Sequence, residues 1–322
     1  MGSDTDVLRV VLAKPRGFCA GVERAIEIVE RALEQYGAPV YVRHEIVHNH
    51  HVVEELRARG AVFVNEVDEI PNGAVTVFSA HGVSRMVEND AAQRSLDIID
   101  ATCPLVEKVH KEGRRYAERD FDVVLIGHAG HPEVEGTRGQ IQGRLHVIAS
   151  ADEAAGLAVR DPQRVAYITQ TTLSIFDTKT VIDALKLRFP DIVGPDTRNI
   201  CYATQNRQNS VLDMAKDLDA LIVVGGLNSS NSRRLREIGE GAGLRSYLID
   251  RPSMLDPRWL EGVGTVGLTA GASAPEKLVQ ETIDVIRKFR QVVIETRDGV
   301  EENVQFRLPA RLQRPAPSAS VA

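Results

Sequence analysis

The chain has 322 residues, 43% hydrophobic and 26% charged, which is long enough for two or three domains with buried cores. Its 39 Lys and Arg against 45 Asp and Glu leave a net charge of −6, excluding the basic surface that sequence-independent nucleic-acid binding needs. No stretch approaches the ~20 apolar residues of a membrane span, and the opening MGSDTDVLRV lacks the apolar core of a secretory leader. No nucleic acid and no membrane is expected as a partner, and the expected location is cytoplasmic.

One phrase recurs along the chain. A short β-branched run ends in a loop of small or polar residues, and an amphipathic helix follows. The runs are Val7–Ala13, Val75–Ser79, Val123–Gly127, Val165–Thr169, Leu221–Gly225 and Thr265–Thr269. Continuous apolar runs of this length suit strands buried on both faces of parallel sheets. A helix is predicted over Gly21–Tyr36, with Val22, Ile26, Val29 and Leu33 on one stripe. It pairs Glu27 with Arg31 and stops at Gly37. Two more are predicted over Asp177–Phe189 and Pro275–Phe289, the latter with Pro275 at its first position and Ser273 or Ala274 as cap. The alternation predicts an α/β fold. From Leu308 the chain is rich in Pro, Ala and Ser without periodicity, which predicts a disordered tail.

Parallel sheets bind ligands beyond the carboxyl ends of their strands, so the loops after the runs are where chemistry is expected. The three cysteines, Cys19, Cys103 and Cys201, all follow apolar runs and lie 84 and 98 residues apart. That spacing suggests three similar α/β units, each offering one thiolate. The corresponding segments are 1–102, 103–200 and 201–295, followed by an extension over 296–322. Three thiolates would leave one iron of a four-iron cluster open to substrate. Zinc with three Cys and one His is the other inorganic reading. No C-x-x-C occurs, and spacing alone decides for neither metal.

Five of the nine histidines crowd two loops, HNHH (48–51) and GHAGH (127–131), and His81 lies in SAHGVS. With Ser229, Ser230 and Asn231 in GGLNSSNS, and Ser273 in TAGASAPE, they offer donors for a diphosphate at helix N-termini. Each could equally serve as a helix cap or a structural hydrogen-bonding residue. Glu133, read as lying in a loop after His131 and Pro132, is a natural proton donor if buried beside negative groups. Thr171 in TQTTLS could relay a proton or fix a substrate hydroxyl. No nucleotide-binding glycine pattern follows any strand.

PRGFCAGVERAI, HNHHVVEEL, SAHGVS, DATCPLV, GHAGHPEVEGT, QTTLS, ICYATQNRQ, LNSSNS and GASAPE occur in this order. Together they closely resemble the 4-hydroxy-3-methylbut-2-enyl diphosphate reductase family over roughly residues 8–290. The resemblance implies three α/β lobes around a central [4Fe–4S] cluster with three Cys ligands, Cys19, Cys103 and Cys201, and one open iron. It implies diphosphate contacts from His48, His81, His131, Ser229, Ser230, Asn231 and Ser273, with Glu133 as proton source aided by Thr171 and His131. The implied reaction is reductive dehydroxylation of an allylic diphosphate to isopentenyl and dimethylallyl diphosphate, with ferredoxin or flavodoxin as electron donor. Two rival expectations are a metal-dependent phosphate-ester hydrolase, which needs no reductant, and a non-catalytic protein that closes on an anionic metabolite.

Overall fold

The computed structural model describes residues 7–313. In chain order its first elements are β1 (Val7–Leu12), α1 (Ala20–Tyr36), β2 (Val40–Arg43), α2 (His50–Ala58), β3 (Ala61–Val64), β4 (Val75–Phe78), α3 (Arg85–Gln93) and β5 (Asp97–Asp100). Then come α4 (Pro104–Glu118), β6 (Asp122–Ile126), α5 (Pro132–Gln140), β7 (Leu145–Ile148), α6 (Ala151–Gly156), β8 (Val165–Thr169) and α7 (Ile175–Arg188). The last are α8 (Tyr202–Ala215), β9 (Ala220–Val224), α9 (Ser230–Gly241), β10 (Arg245–Ile249), β11 (Thr265–Ala270), α10 (Glu276–Ile286) and β12 (Gln291–Thr296). No helix among the described residues is long and apolar enough to cross a membrane.

The strands form three parallel sheets, and the chain divides into two compact units. One unit comprises the chain up to Cys19, His48–His51 and Cys201–Val304. It holds the five-stranded sheet, in the order β10-β9-β11-β1-β12. Alternation along the strands feeds two cores. Leu8, Val10, Leu12, Ile222 and Val224 pack with Leu278, Val279, Ile283 and Ile286 of α10. Val11, Leu221 and Val223 pack with Val211 and Met214 of α8 and Leu235 of α9. Both faces are therefore covered, which is why these strands read as unbroken apolar runs.

The other unit comprises Ala20–Val47, Val52–Ile200 and, among the described residues, 305–313. It holds a four-stranded sheet, β3-β2-β4-β5, and a three-stranded sheet, β7-β6-β8. In the smaller sheet, Val124, Ile126 and Tyr167 face Val181, Ile182 and Leu185 of α7. Val123, Leu125, Ala166 and Ile168 face Val109 and Tyr116 of α4 and Val134 of α5. Helix α1 ends as its sequence predicts, with Gly37 at φ +76° donating to the Leu33 carbonyl and Glu27 paired to Arg31 at 2.9 Å.

Three details depart from the sequence reading. Strand β1 pairs with β11 and β12, so the chain's first strand belongs to the same sheet as residues 220–296 and not with the segment that follows it. Pro275 is the cap residue of α10 and not its first helical residue, and no side chain caps that helix. Residues 308–313 are docked and not disordered. Leu312 is only 1% exposed, and Arg311 pairs with both oxygens of Asp97 at 2.7 Å and donates to the Tyr36 hydroxyl. One apolar anchor and one paired arginine hold a segment whose composition reads as loose. The rest of the predicted tail, 314–322, lies outside the described residues.

Because Leu312 fills a closed site, Leu312→Ala is expected to lower the free energy of unfolding by about 2–5 kcal/mol in denaturant titration. A loss below ~0.5 kcal/mol, the level of surface substitutions, would show that the docking is not energetically significant.

Candidate active site

In the first unit the predicted residues form one connected group at the carboxyl ends of β1, β9 and β11. Cys201 is the cap residue of α8, and its Sγ lies 3.1 Å from Oγ1 of Thr204. Nδ2 of Asn231 reaches the same Thr204 oxygen at 3.4 Å, and its Oδ1 accepts from the Ala272 amide at 2.9 Å. The Ala272 carbonyl in turn accepts from the amide of Cys19 at 3.1 Å. Ser273 Oγ donates to the His48 carbonyl at 3.0 Å, and Asn228 lies 3.4 Å from His48 Nδ1. Ser229 caps α9 by accepting from the Ser232 amide, with Ser230 and Asn231 buried in the first turn. Gly226 lets this loop approach, since a Cβ there would stand 2.5 Å from the His48 carbonyl oxygen. Capping explains Ser229 and leaves the donors of the helix N-terminus collected beside His48 and Ser273.

The second unit gathers the remaining residues in the same way, at the ends of β4, β5, β6 and β8. The Cys103 amide donates to the carbonyl of Ala80, next to His81. The rings of His81 and His131 meet edge to face, with centroids 6.0 Å apart. Gly82, at φ +79°, carries the chain over His110, where a Cβ would stand 2.6 Å from Cε1. His131 caps α5, its Nδ1 accepting from the Glu133 amide at 3.1 Å. A ring nitrogen that accepts carries no proton, so the neutral ring is protonated on Nε2.

Glu133 is not in a loop, as the sequence suggested, but in the first turn of α5, where Pro132 starts the helix directly after its histidine cap. Its side chain is buried at 3% exposure. Its carboxyl accepts from the Thr171 amide at 2.6 Å and the Thr171 hydroxyl at 2.9 Å. Burial pushes this carboxyl up to about 7, against the pull of both Thr171 bonds, which favour the charged form. A carboxyl poised there can both hold and release a proton near neutrality.

Each cysteine stands directly before a helix: Cys19 before α1, Cys103 before α4 and Cys201 before α8. The positive end of a helix favours thiolate over thiol, and no disulfide joins the three. Partly exposed free cysteines of this kind can supply the sulfur donors that suit soft metals and iron–sulfur clusters. Neither unit by itself groups three or more His, Cys, Asp or Glu as a metal site among the described residues. Sequence reasoning passed over Thr204, although a hydroxyl three residues beyond a cap residue is a recognisable signal. It had no signal for the backbone amide of Thr171.

A family model described as LytB protein matches residues 10–287. The chain belongs to the LytB family. A relative from Zymomonas mobilis subsp. mobilis, named 4-hydroxy-3-methylbut-2-enyl diphosphate reductase, is 60% identical over 307 residues, covering 95% of this chain and 90% of its own length. One from Rhodopseudomonas palustris, named 4-hydroxy-3-methylbut-2-enyl diphosphate reductase 1, is 60% identical over 301 residues, 94% of this chain and 98% of its own. Among solved structures, the E-1-hydroxy-2-methyl-but-2-enyl-4-diphosphate reductase from Plasmodium falciparum matches with a TM-score of 0.90 at 34% identity, covering 95% of this chain and 96% of its own. A second solved reductase, titled as the terminal enzyme of the non-mevalonate pathway, matches with a TM-score of 0.61 at 31% identity, covering 87% and 99%. The LytB family thus accounts for the mixed α/β architecture with its three parallel sheets.

The raised Glu133 carboxyl makes stability depend on pH with a defined sign. Folded, the group binds its proton up to about 7; unfolded, it does so near 4.5. Between those values the folded state holds the extra proton, so rising pH works against folding. The wild type is expected to lose stability relative to Glu133→Gln as pH rises from about 4.5 to 7. Below and above that window the two should run parallel in denaturant titrations. Parallel curves across the whole range would rule out the raised carboxyl.

Proposed function

We propose that the chain reduces 4-hydroxy-3-methylbut-2-enyl diphosphate to isopentenyl and dimethylallyl diphosphate. The overall change takes up two electrons and two protons and releases the hydroxyl as water. The observation that carries the reading is the buried Glu133, poised near neutrality on Thr171, in a chain 60% identical to named reductases over 95% of its length. A proton is needed twice, once for the leaving hydroxyl and once for carbon. Glu133 is proposed to donate to the hydroxyl, with Thr171 orienting the carboxyl and His131 fixing the helix turn that carries it. The relatives reported above are named reductases, so a phosphate-ester hydrolase gains no support from them.

Cys19, Cys103 and Cys201 are proposed to hold a [4Fe–4S] cluster with one iron left open; their positions before helices and the family's chemistry support this. When bound, such a cluster supplies the electrons, one at a time, that break the allylic C–O bond. Ferredoxin or flavodoxin is the proposed donor, and the cytoplasm the proposed location. The diphosphate is proposed to bind His48, His81, His131, Ser229, Ser230, Asn231 and Ser273. Helix N-termini and imidazoles suit that multiply charged anion.

Anaerobic reconstitution followed by an absorption spectrum, iron analysis and turnover with a chemical reductant tests the whole reading. A wild-type protein with no visible charge-transfer band and no reductase activity would overturn it. Cys19→Ser, Cys103→Ser and Cys201→Ser are each expected to lose iron or bind it labily; full iron and activity in any one would remove that ligand. His81→Ala is expected to weaken substrate binding about tenfold to hundredfold with iron retained. Glu133→Gln is expected to keep iron and substrate affinity while turnover falls ~10²–10⁴-fold. Near-normal turnover would shift the proton donor to another group.

A further inference from the structure

A cationic side chain follows each cysteine at nearly the same interval and donates to the backbone that leads into a different cysteine. Arg207 lies six residues after Cys201, on α8, and is fully buried. Its Nε and Nη2 donate to the Gly17 carbonyl at 3.1 and 2.7 Å, and Nη2 reaches the Phe18 carbonyl at 3.2 Å, just before Cys19. Arg24 lies five residues after Cys19, on α1. Its Nη1 donates to the carbonyls of Ala101 and Thr102 at 3.3 and 3.1 Å, just before Cys103. Lys108, five residues after Cys103, reaches the Arg198 carbonyl at 3.5 Å, three residues before Cys201. Lys108 is exposed and its bond is long.

Both arginines are closed off by the segment that follows β12. Glu302 binds Arg207 through Nη1 at 3.0 and 3.2 Å and through Nη2 at 3.2 Å. The Arg307 carbonyl accepts from Nε of Arg24 at 2.8 Å. Four residues on, Arg311 is locked to Asp97, to the Ile98 carbonyl at 3.1 Å and to Tyr36, and Leu312 is buried. Asp97 and Ile98 begin β5, the strand that runs into Cys103.

We propose that Arg207 and Arg24 are positioning residues for the backbone of Cys19 and Cys103, and that residues 302–312 form a strap that completes both. The proposal rests on reading those cysteines as cluster ligands. A loop carbonyl facing the buried Arg207 or the half-buried Arg24 cannot turn away without leaving N–H donors unsatisfied. The planar fork of arginine grips two successive carbonyls at once, which a lysine ammonium does less well. Cys19 and Cys103 are thus each set in direction by a helix that belongs to another cysteine.

The test uses amide hydrogen exchange on the full-length metal-free protein, together with the rate of iron release to a chelator from the reconstituted protein. Arg24→Ala, and truncation after Val304, are expected to speed exchange over residues 99–104 about tenfold or more while β9 and β11 stay protected. Glu302→Gln should do the same over residues 16–19. Arg24→Lys should fall between wild type and Arg24→Ala. Iron release should quicken at least tenfold in each variant that loses protection. Unchanged exchange over 99–104 in Arg24→Ala, or in the truncated chain if that variant does not fold, would overturn the proposal. So would an even loss of protection across the whole chain, which marks a general structural role. If the wild type binds no iron, the cysteine-ligand reading fails, and the exchange measurements still decide whether the arginines hold the loops.

Discussion

A parallel strand cannot turn straight back, so every strand here hands the chain to a connection that begins at its carboxyl end. That constraint places the polar chemistry of the molecule. Most connections start with a few loop residues and then a helix whose first amides have no partner within the helix. Cys103, His131 and Ser229 occupy that junction as cap residues, Cys19 directly precedes α1, and Cys201 caps α8 at the end of the segment that follows α7. The sulfur of Cys201, the ring nitrogen of His131 and the hydroxyl of Ser229 each accept from one of those amides. Sheets covered on both faces leave few other places where polar groups can gather.

Burial then sorts these groups by charge. Glu133 has hydrogen bonds but no cation among them, so removal from water raises its proton affinity. Arg207 is buried as deeply, yet Glu302 and three carbonyls surround it. The first arrangement yields a group that can change its protonation near neutrality. The second yields one that holds its geometry. A carboxyl that can exchange a proton near neutrality and a guanidinium held in place thus follow from the same cost of burying charge, with different partners.

Much of the fold was legible because its signals are local. The apolar runs at 75–78, 165–169 and 220–224 lie where their composition puts them, and α1 stops at Gly37 because only a residue tolerant of positive φ continues the turn there. The shorter strands β2, β3, β7 and β10 were not legible, since four or five residues are too few to establish a period. The candidate site was legible as loops after strands, and its motifs named the family. Which atoms meet was not, because a backbone amide such as that of Thr171 has no signature of its own.

The sequence by itself determined the α/β class, the order of strand, loop and helix, and the residue types at each strand end. These follow from periodicity, capping chemistry and turn residues within about ten positions of one another. Only the tertiary structure decided that β1 lies between β11 and β12, that Glu133 is buried in a helical turn, and that residues 305–313 dock through Arg311 and Leu312. Such long-range contacts join partners as far as 287 residues apart, as in the Lys14–Glu301 pair. Desolvation and long-range hydrogen bonding act only once such distant segments have met.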